Sequence, residues 1–561
     1  MRFPHGSGHV SQLGREFLCR PVGAAVRRRS GPVRSGIRAL VPVVILLASL
    51  AACTTQSDKA DSPTGTIGSL PDAARQIMAK PAYAGARWLY YVADPNTGKA
   101  VLANAPDQLV FTGSTAKEFT IGTVYDTLGT ETRLTTPVYA SAPTVAGTVS
   151  GNLVLVASGD LTLGGRGALQ GKVDHTFTAT SVDHVYGDIA PNTTKVADDP
   201  LAGLNDLAHQ VAAKGITRID GDVVIDTRIW ETFKGQEGLV PPIFVNDNIL
   251  DIDVTPGDVG QLASIATTPQ TSAFTVESKV TTADTATGLQ VAADPNDPRH
   301  IVVTGTVAPG KPAATIYRIP DAASWARTLF VEALGRAGVT VAAPALSSNN
   351  EAGLPAPTSY PADRQVAAFQ SPTMKAFGSM ILETSYNTGA NAMMCLLAVE
   401  AGSTDCTAGL KTIRDEVEMA GLNSNEVVLV DGQGADPAST TPKQMAAWMQ
   451  WAAGQSWGPD FVAGQPILGV TGSLASSGAD SPAKGKVLAK TGTSAAVDPA
   501  TGRALFNVQS LAGYLVRDNG KNLVFGLSMS GGTYPDVLTG LHDAGDDVAM
   551  VAAAIQQAFE K

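Results

Sequence analysis

Short apolar runs broken by turn residues alternate, along this 561-residue chain, with stretches in which apolar side chains recur every three to four positions. The first run after the N-terminal region, Arg87-Trp88-Leu89-Tyr90-Tyr91-Val92, has the aromatic and β-branched content of a strand, and Asp94-Pro95-Asn96-Thr97-Gly98 follows as a turn. A helix is predicted from about Ser114, because Phe119, Val124, Tyr125 and Leu128 keep helical spacing and Gly129 can end it. From about 130 to 365 the texture is β-rich, with strands at 223–225 and 250–254 and helices over 201–213 and 323–337. From Phe369 it becomes mixed: helices over 374–383, 389–400 and 441–453, successive strands at 486–490, 510–516 and 523–529, and a closing helix over 544–559. The pattern is that of an α/β (α+β) chain in which a long β-rich segment is followed by an antiparallel sheet with flanking helices. A chain of this length exceeds one ordinary core, so two to four domains are expected.

The N-terminus stands outside this pattern. Arg27, Arg28, Arg29, Arg34 and Arg38 precede an apolar run over 39–50, which ends in Leu50-Ala51-Ala52-Cys53. A basic stretch, a short apolar run and a small-residue site ending in Cys form a bacterial lipoprotein signal, with Cys53 as the acylated new N-terminus. The other reading is an uncleaved membrane anchor, for which the run is short. The stretch before Arg27 is long for such a signal and leaves open a downstream start, for example at Val33. The expected organisation is therefore a signal over 1–52, a flexible Thr/Ser/Asp/Gly-rich tether over 53–70, a first segment over 71–130, one or more β-rich domains over 131–364 and a mixed segment over 365–561, the first and last of which hold the motifs below.

Removing the leader changes the charge. The whole chain carries 40 basic and 51 acidic side chains; eight Arg and one Glu lie in the leader, leaving 32 against 50, about −18. Such a surface is repelled by nucleic acid and by anionic lipid, so no nucleic-acid partner is expected and membrane attachment rests on acyl chains. Of four cysteines, Cys19 is in the leader and Cys53 is the lipidation site. Cys395 and Cys406 remain, in an exported chain where a disulfide is permitted, and they are expected to pair; two free buried thiols are the alternative.

Three short motifs carry candidate chemistry. Ser114-Thr115-Ala116-Lys117 opens a predicted helix, where i and i+3 spacing stacks a hydroxyl and an amine on one face. A partly desolvated Lys there can lose its proton and serve as base for the Ser, beside the N–H groups of a helix start. Ser385-Tyr386-Asn387 lies between two helical segments; its hydroxyl can relay a proton, and its amide can order the Lys and a substrate carbonyl. Lys490-Thr491-Gly492-Thr493 ends a predicted strand, where Gly492 lets a substrate backbone lie close and Lys490 with the two Thr hydroxyls can bind a carboxylate. Each motif alone is weak. Ser481 with Lys484 makes a second Ser-x-x-Lys in a turn-like stretch, and Ser347-Ser348-Asn349 and Ser348-Asn349-Asn350 repeat the second pattern in a polar loop. The order and local setting of the three together carry the weight.

In that order they resemble the low-molecular-mass (class C) penicillin-binding proteins of the D-alanyl-D-alanine carboxypeptidase/endopeptidase family, peptidase family S13. About 270 residues separate Ser114 from Ser385, as the family's long insertion requires. Further matches are Ser158-Gly159-Asp160-Leu161-Thr162-Leu163, Ile219-Asp220-Gly221-Asp222-Val223-Val224-Ile225-Asp226, Gln370-Ser371-Pro372 and Leu511-Ala512-Gly513-Tyr514. The resemblance implies a transpeptidase/β-lactamase-like catalytic domain split by inserted β-rich domains. It also implies peptidoglycan peptides ending in D-Ala-D-Ala as substrates, β-lactam antibiotics as acylating mimics, and no cofactor or metal. By the same resemblance Ser114 is the nucleophile, Lys117 its base, Ser385 the proton relay and Asn387 the residue ordering Lys117 and substrate. Lys490, Thr491, Gly492 and Thr493 hold the substrate strand and its carboxylate, and the N–H groups of Ser114 and Thr493 form the oxyanion hole. The chain departs from the family at Gly113, where Ala is usual, at Glu118, where an apolar residue is common, and at Asp431-Gly432-Gln433-Gly434, where Ser replaces Gln433 in relatives. A carboxylate at 118 would weaken Lys117 as a base by raising its pKa, but adjacent helix positions diverge by about 100° and the two side chains point apart.

The rival readings are a β-lactamase-like hydrolase, for which no separate water-activating base is evident, and a non-catalytic cell-wall-binding lipoprotein on a decayed peptidase fold. Gly454-Gln455-Ser456-Trp457-Gly458 matches a nucleophile elbow, but a helix precedes it, so Gly454 reads as a helix cap. His175, His184, His209, His300 and His542 show no metal-site spacing, and Asp251 with Asp253 reads as a solvated strand face.

Overall fold

The computed structural model describes residues 68–560 apart from 169–172, 175–176, 179, 191–192 and 358. The expected signal, Cys53, His175 and all but the end of the tether lie outside the described residues.

Two distant parts of the chain build one antiparallel sheet. Its order is Ala100–Asn104, Arg87–Ala93, Leu523–Ser530, Ala504–Leu515, Val487–Val497, with Gly532–Tyr534 also paired to Ala504–Leu515. Side chains alternate between its faces, as the pleat requires. Leu511, Leu515 and Phe525 join a core with Ala544, Val548, Val551 and Ile555 of the closing helix Val537–Ala558. Ala512, Tyr514 and Val524 join another with Phe119, Phe377, Ala390 and Met449. Those four come from helices Lys117–Leu128, Met374–Thr384, Asn387–Glu400 and Pro442–Ala453. Covered on both faces, the central strands are buried over residues 508–515 and 523–529.

Between the halves the chain forms a second core. Leu153–Val156 pairs in parallel with Val223–Asp226 and antiparallel with Arg133–Ala140, whose other edge takes Gln365–Thr373. Helices Ala202–Ala213 and Ala322–Arg336 pack on this sheet through Leu204, Leu207, Val211, Trp325, Leu329 and Phe330. The segment's other sheets include two three-stranded ones, centred on Ile249–Thr255 and Asp297–Val307.

One reading of a strand face is corrected here. Asp253 meets Lys195, but Asp251 is buried at 4% exposure, accepting from Asn246 Nδ2 at 2.9 Å and meeting His184 Nδ1 at 2.8 Å. It belongs to an enclosed ionic group. His184 Nε2 lies 2.9 Å from Asp247, Arg166 Nε donates to Asp247 at 3.0 Å, and both terminal guanidinium nitrogens of Arg166 donate to Asp183 at 2.9 Å. Burial alone would push the His184 imidazole down, but hydrogen bonds to Asp247 and Asp251 hold its pKa up at about 10, so it is charged at neutral pH.

Candidate active site

The first motif sits where a tight turn becomes a helix. Residues Gly113–Ala116 form a 3-10 turn running directly into Lys117–Leu128. Gly113 adopts φ +50°, and a Cβ there would come within 2.5 Å of Thr493 N, so Gly lets the turn rest on the strand Val487–Val497. Thr115 Oγ1 and Ser510 Oγ both donate to Thr112 O, at 2.8 and 2.7 Å, tying the turn to the sheet.

Lys117 is wholly buried and has three partners: Ser114 Oγ at 2.7 Å, Asn387 Oδ1 at 2.5 Å and the Gln433 main-chain oxygen at 3.1 Å. A neutral amine has two N–H groups and one lone pair. Donating to Asn387 and Gln433, two groups that can only accept at those atoms, leaves the lone pair for the Ser114 hydroxyl. Burial pulls the Lys117 pKa down to about 7, against the opposing charges of Glu237 and Asp431. Serine and base are thus adjacent, and the base is half unprotonated near neutral pH.

Glu118 does not act on this pair. Its carboxyl is buried, accepts from Gln465 Nε2 at 3.0 Å, and interacts electrostatically with Lys490. Burial raises its pKa to about 8, which the Gln465 hydrogen bond and Lys490 only partly offset.

The second motif ends one helix and starts the next. Ser385 takes a left-handed conformation, φ +59°, as the C-cap of Met374–Thr384, and Asn387 begins the helix Asn387–Glu400. That helix is joined to the following turn by the disulfide Cys395–Cys406. In the third motif the alternation of Val487–Val497 turns Thr491 and Thr493 to the cavity, while Lys490 and Gly492 face inward. Lys490, expected on a substrate carboxylate, is instead enclosed; it donates to Ser385 Oγ at 2.8 Å and to Thr491 O at 2.7 Å. Burial, followed by the charge of Lys117, lowers its pKa well below the ordinary lysine value. Gly492 also differs from its expected use. A Cβ there would collide with Thr112 O, Ser510 Oγ and Thr115 N, so the missing side chain makes room for the nucleophile turn rather than for substrate.

These groups border one open cavity of about 720 Å³. Ser114, Ser385, Asn387, Gln433, Thr491 and Thr493 line it from the catalytic halves, and Phe177, Tyr186 and Glu237 from the insertion. Two contributors, Tyr186 and Glu237, were not singled out from sequence, and the Asp431 loop was named there without a role. The loop after Asp431 is tightened by its carboxylate, which accepts from the N–H groups of Gln433, Gly434 and Ala435, and so presents Gln433 O to Lys117. The contact with Lys117 uses only the backbone of Gln433, while its side chain is buried and accepts from Asn391 Nδ2 at 2.9 Å. Tyr186 Oη donates to Ser385 O at 2.7 Å, and Glu237 accepts from Asn387 Nδ2. The decoys lie elsewhere: Lys484 N donates to Ser481 O in a turn, Asn349 clamps Ile225 through both its backbone groups, and Gly454 caps the helix Pro442–Ala453.

Residues 71–551 match the sequence pattern of the D-Ala-D-Ala carboxypeptidase 3 (S13) family. A D-alanyl-D-alanine carboxypeptidase from Actinomadura sp. (strain R39) is 25% identical over 544 residues, covering 91% of this chain and 89% of that protein. Penicillin binding protein 4 from Haemophilus influenzae has a similar fold, with a TM-score of 0.62 at 18% identity over 87% of this chain and 98% of that one. The same protein complexed with a β-lactam gives 0.62 at 19% identity, over 87% and 99%.

Proposed function

Starting from the fact that this chain belongs to the D-Ala-D-Ala carboxypeptidase 3 (S13) family, we propose that it removes the terminal D-Ala from peptidoglycan stem peptides through a Ser114 acyl-enzyme. Neutral Lys117 takes the Ser114 proton as Oγ attacks the carbonyl of the penultimate D-Ala. The N–H groups of Ser114 and Thr493 receive the developing oxyanion. Thr491 and Thr493 hold the terminal carboxylate from the cavity wall. As the intermediate collapses, Ser385 gives its proton to the leaving amine and takes in its place the proton that Lys117 carried, so Lys117 is neutral again, while Lys490 holds the Ser385 oxygen. Water then hydrolyses the ester, with Lys117 again as base. Cleavage of D-Ala cross-links needs the same steps on a longer leaving group, and a β-lactam enters as a mimic whose leaving group stays attached.

The observation that carries this reading is the enclosed Lys117 amine, 2.7 Å from Ser114 Oγ, with both its N–H groups spoken for. Outside the described residues, the leader pattern supports export and lipid attachment at Cys53, with the enzyme held at the outer face of the cytoplasmic membrane. One mass-spectrometric experiment on protein taken from the producing cells addresses both. Acylated Cys53 at the N-terminus is expected, and benzylpenicillin should add a persistent mass that maps to Ser114. Drug consumed through a transient adduct would instead make the protein a β-lactamase. No adduct on folded protein would leave the non-catalytic wall-binding reading, and an unmodified or absent Cys53 would remove the anchor.

A further inference from the structure

We propose that Glu237, carried into the active site by the inserted segment, is a positioning residue that holds the Asn387 amide in the one orientation that serves Lys117. The proposal rests on the acyl-enzyme reading above and adds to it a group outside the three motifs.

The placement of Glu237 is specific. It forms, with Gln236, the two-residue turn of a hairpin between Phe233–Gly235 and Gly238–Val240, in which Gly235 pairs with Gly238. The hairpin base is fixed in the core: Trp230 and Val240 are buried, and Trp230 Nε1 donates to Val240 O at 3.1 Å. On its near side the strand lies against the helix that begins with Asn387, so closely that a Cβ on Gly235 would come within 2.9 Å of Asn391 Nδ2. Held at that distance, the Glu237 carboxylate meets Asn387 Nδ2 inside the cavity.

A carboxylate only accepts hydrogen bonds, whereas an amide has one accepting and one donating end. Glu237 therefore takes the NH₂ end of Asn387 and leaves Oδ1 for Lys117. With the amide reversed, its NH₂ would face the amine and compete for the lone pair that Ser114 must use. Tyr186, also from the insertion, holds the other end of the same motif through Ser385 O. The charge of Glu237 also reaches Lys117, and with Asp431 from the loop opposite it opposes the lowering by burial. Arg318, ending the strand Ala313–Arg318, is a cation that interacts with Glu237; Lys490, from the sheet, faces Lys117, and Glu118, on the helix of Lys117, acts on Lys490.

The test compares wild type, Glu237→Gln and Glu237→Ala in the rate of benzylpenicillin acylation against pH, alongside kcat and KM for D-Ala release. Glu237→Ala should slow acylation about tenfold or more through kcat, since small misplacements at a reacting centre cost that much. Glu237→Gln keeps an accepting oxygen, so it should recover most of the high-pH rate, with the acid limb of the profile moved to lower pH. A Glu237→Ala protein with wild-type rate and an unshifted limb overturns the proposal. So does a Gln variant that acylates normally but holds its adduct longer, which would assign the carboxylate to hydrolysis. A wild-type protein that forms no adduct overturns the proposed function, and this inference with it.

Discussion

At the scale of single residues the site depends on keeping one lysine uncharged. Lys117 reaches that state by burial, against the charges of Glu237 and Asp431, which leaves its pKa at about 7, well below a lysine in water. The rate of acylation should therefore rise through about pH 7 and level off above it. A stopped-flow profile with penicillin checks this, and a rate independent of pH from 5 to 9 would count against Lys117 as the base. The residues to which this chemistry is assigned stand in the sequence as short patterns, because hydroxyl, amine and amide are spaced by local geometry within each motif. Their partners were not. Gln433 acts through its backbone, which no residue type encodes, and Glu237 sits at a hairpin tip whose own sequence says nothing of the helix it meets.

Among secondary-structure elements, those with a boundary signal were the legible ones. The nucleophile helix ends at Gly129, φ +83°, and the helix Pro442–Ala453 starts under Thr441, whose side chain accepts from Gln444 N. The helix of Asn387 starts two residues before its apolar spacing suggests, because the left-handed turn at Ser385 already breaks the one before. Asp251 misled for a related reason. Alternation with Asp253 looks like a wet face, yet its strand is the middle one of three and its charged partner is 67 residues away. Close packing of elements also gives glycine a role that pattern alone misassigned. Gly492→Ala would force the strand away from the Ser114 turn; it should cost about 1–3 kcal/mol in a urea melt and lower acylation by about tenfold or more. Wild-type acylation by that variant would mean the strand and turn can separate without consequence.

Over the whole molecule, the insertion is held by buried charge as well as by apolar packing. His184 is protonated in the fold up to about pH 10 but only to about 6.5 when unfolded. Its contribution is therefore complete below pH 6.5 and is lost as pH rises through 10. His184→Asn, which leaves two buried carboxylates short of a partner, should destabilise the protein by about 3–5 kcal/mol at pH 6.5. That gap should narrow on raising the pH toward 10, as urea midpoints of the two proteins would show; a constant gap would mean the ring is neutral in the fold. The site sheet has a further consequence, for the time before the enzyme is finished. Its order takes strands from residues 87–104 and completes them with strands from 487–530. Ser114 and Lys117 are among the first residues of the fold to be made, yet the wall they rest on is among the last. A chain that lacks that final stretch has no strand for the Ser114 turn to rest on, so the site can assemble only once residues 487–530 are in place.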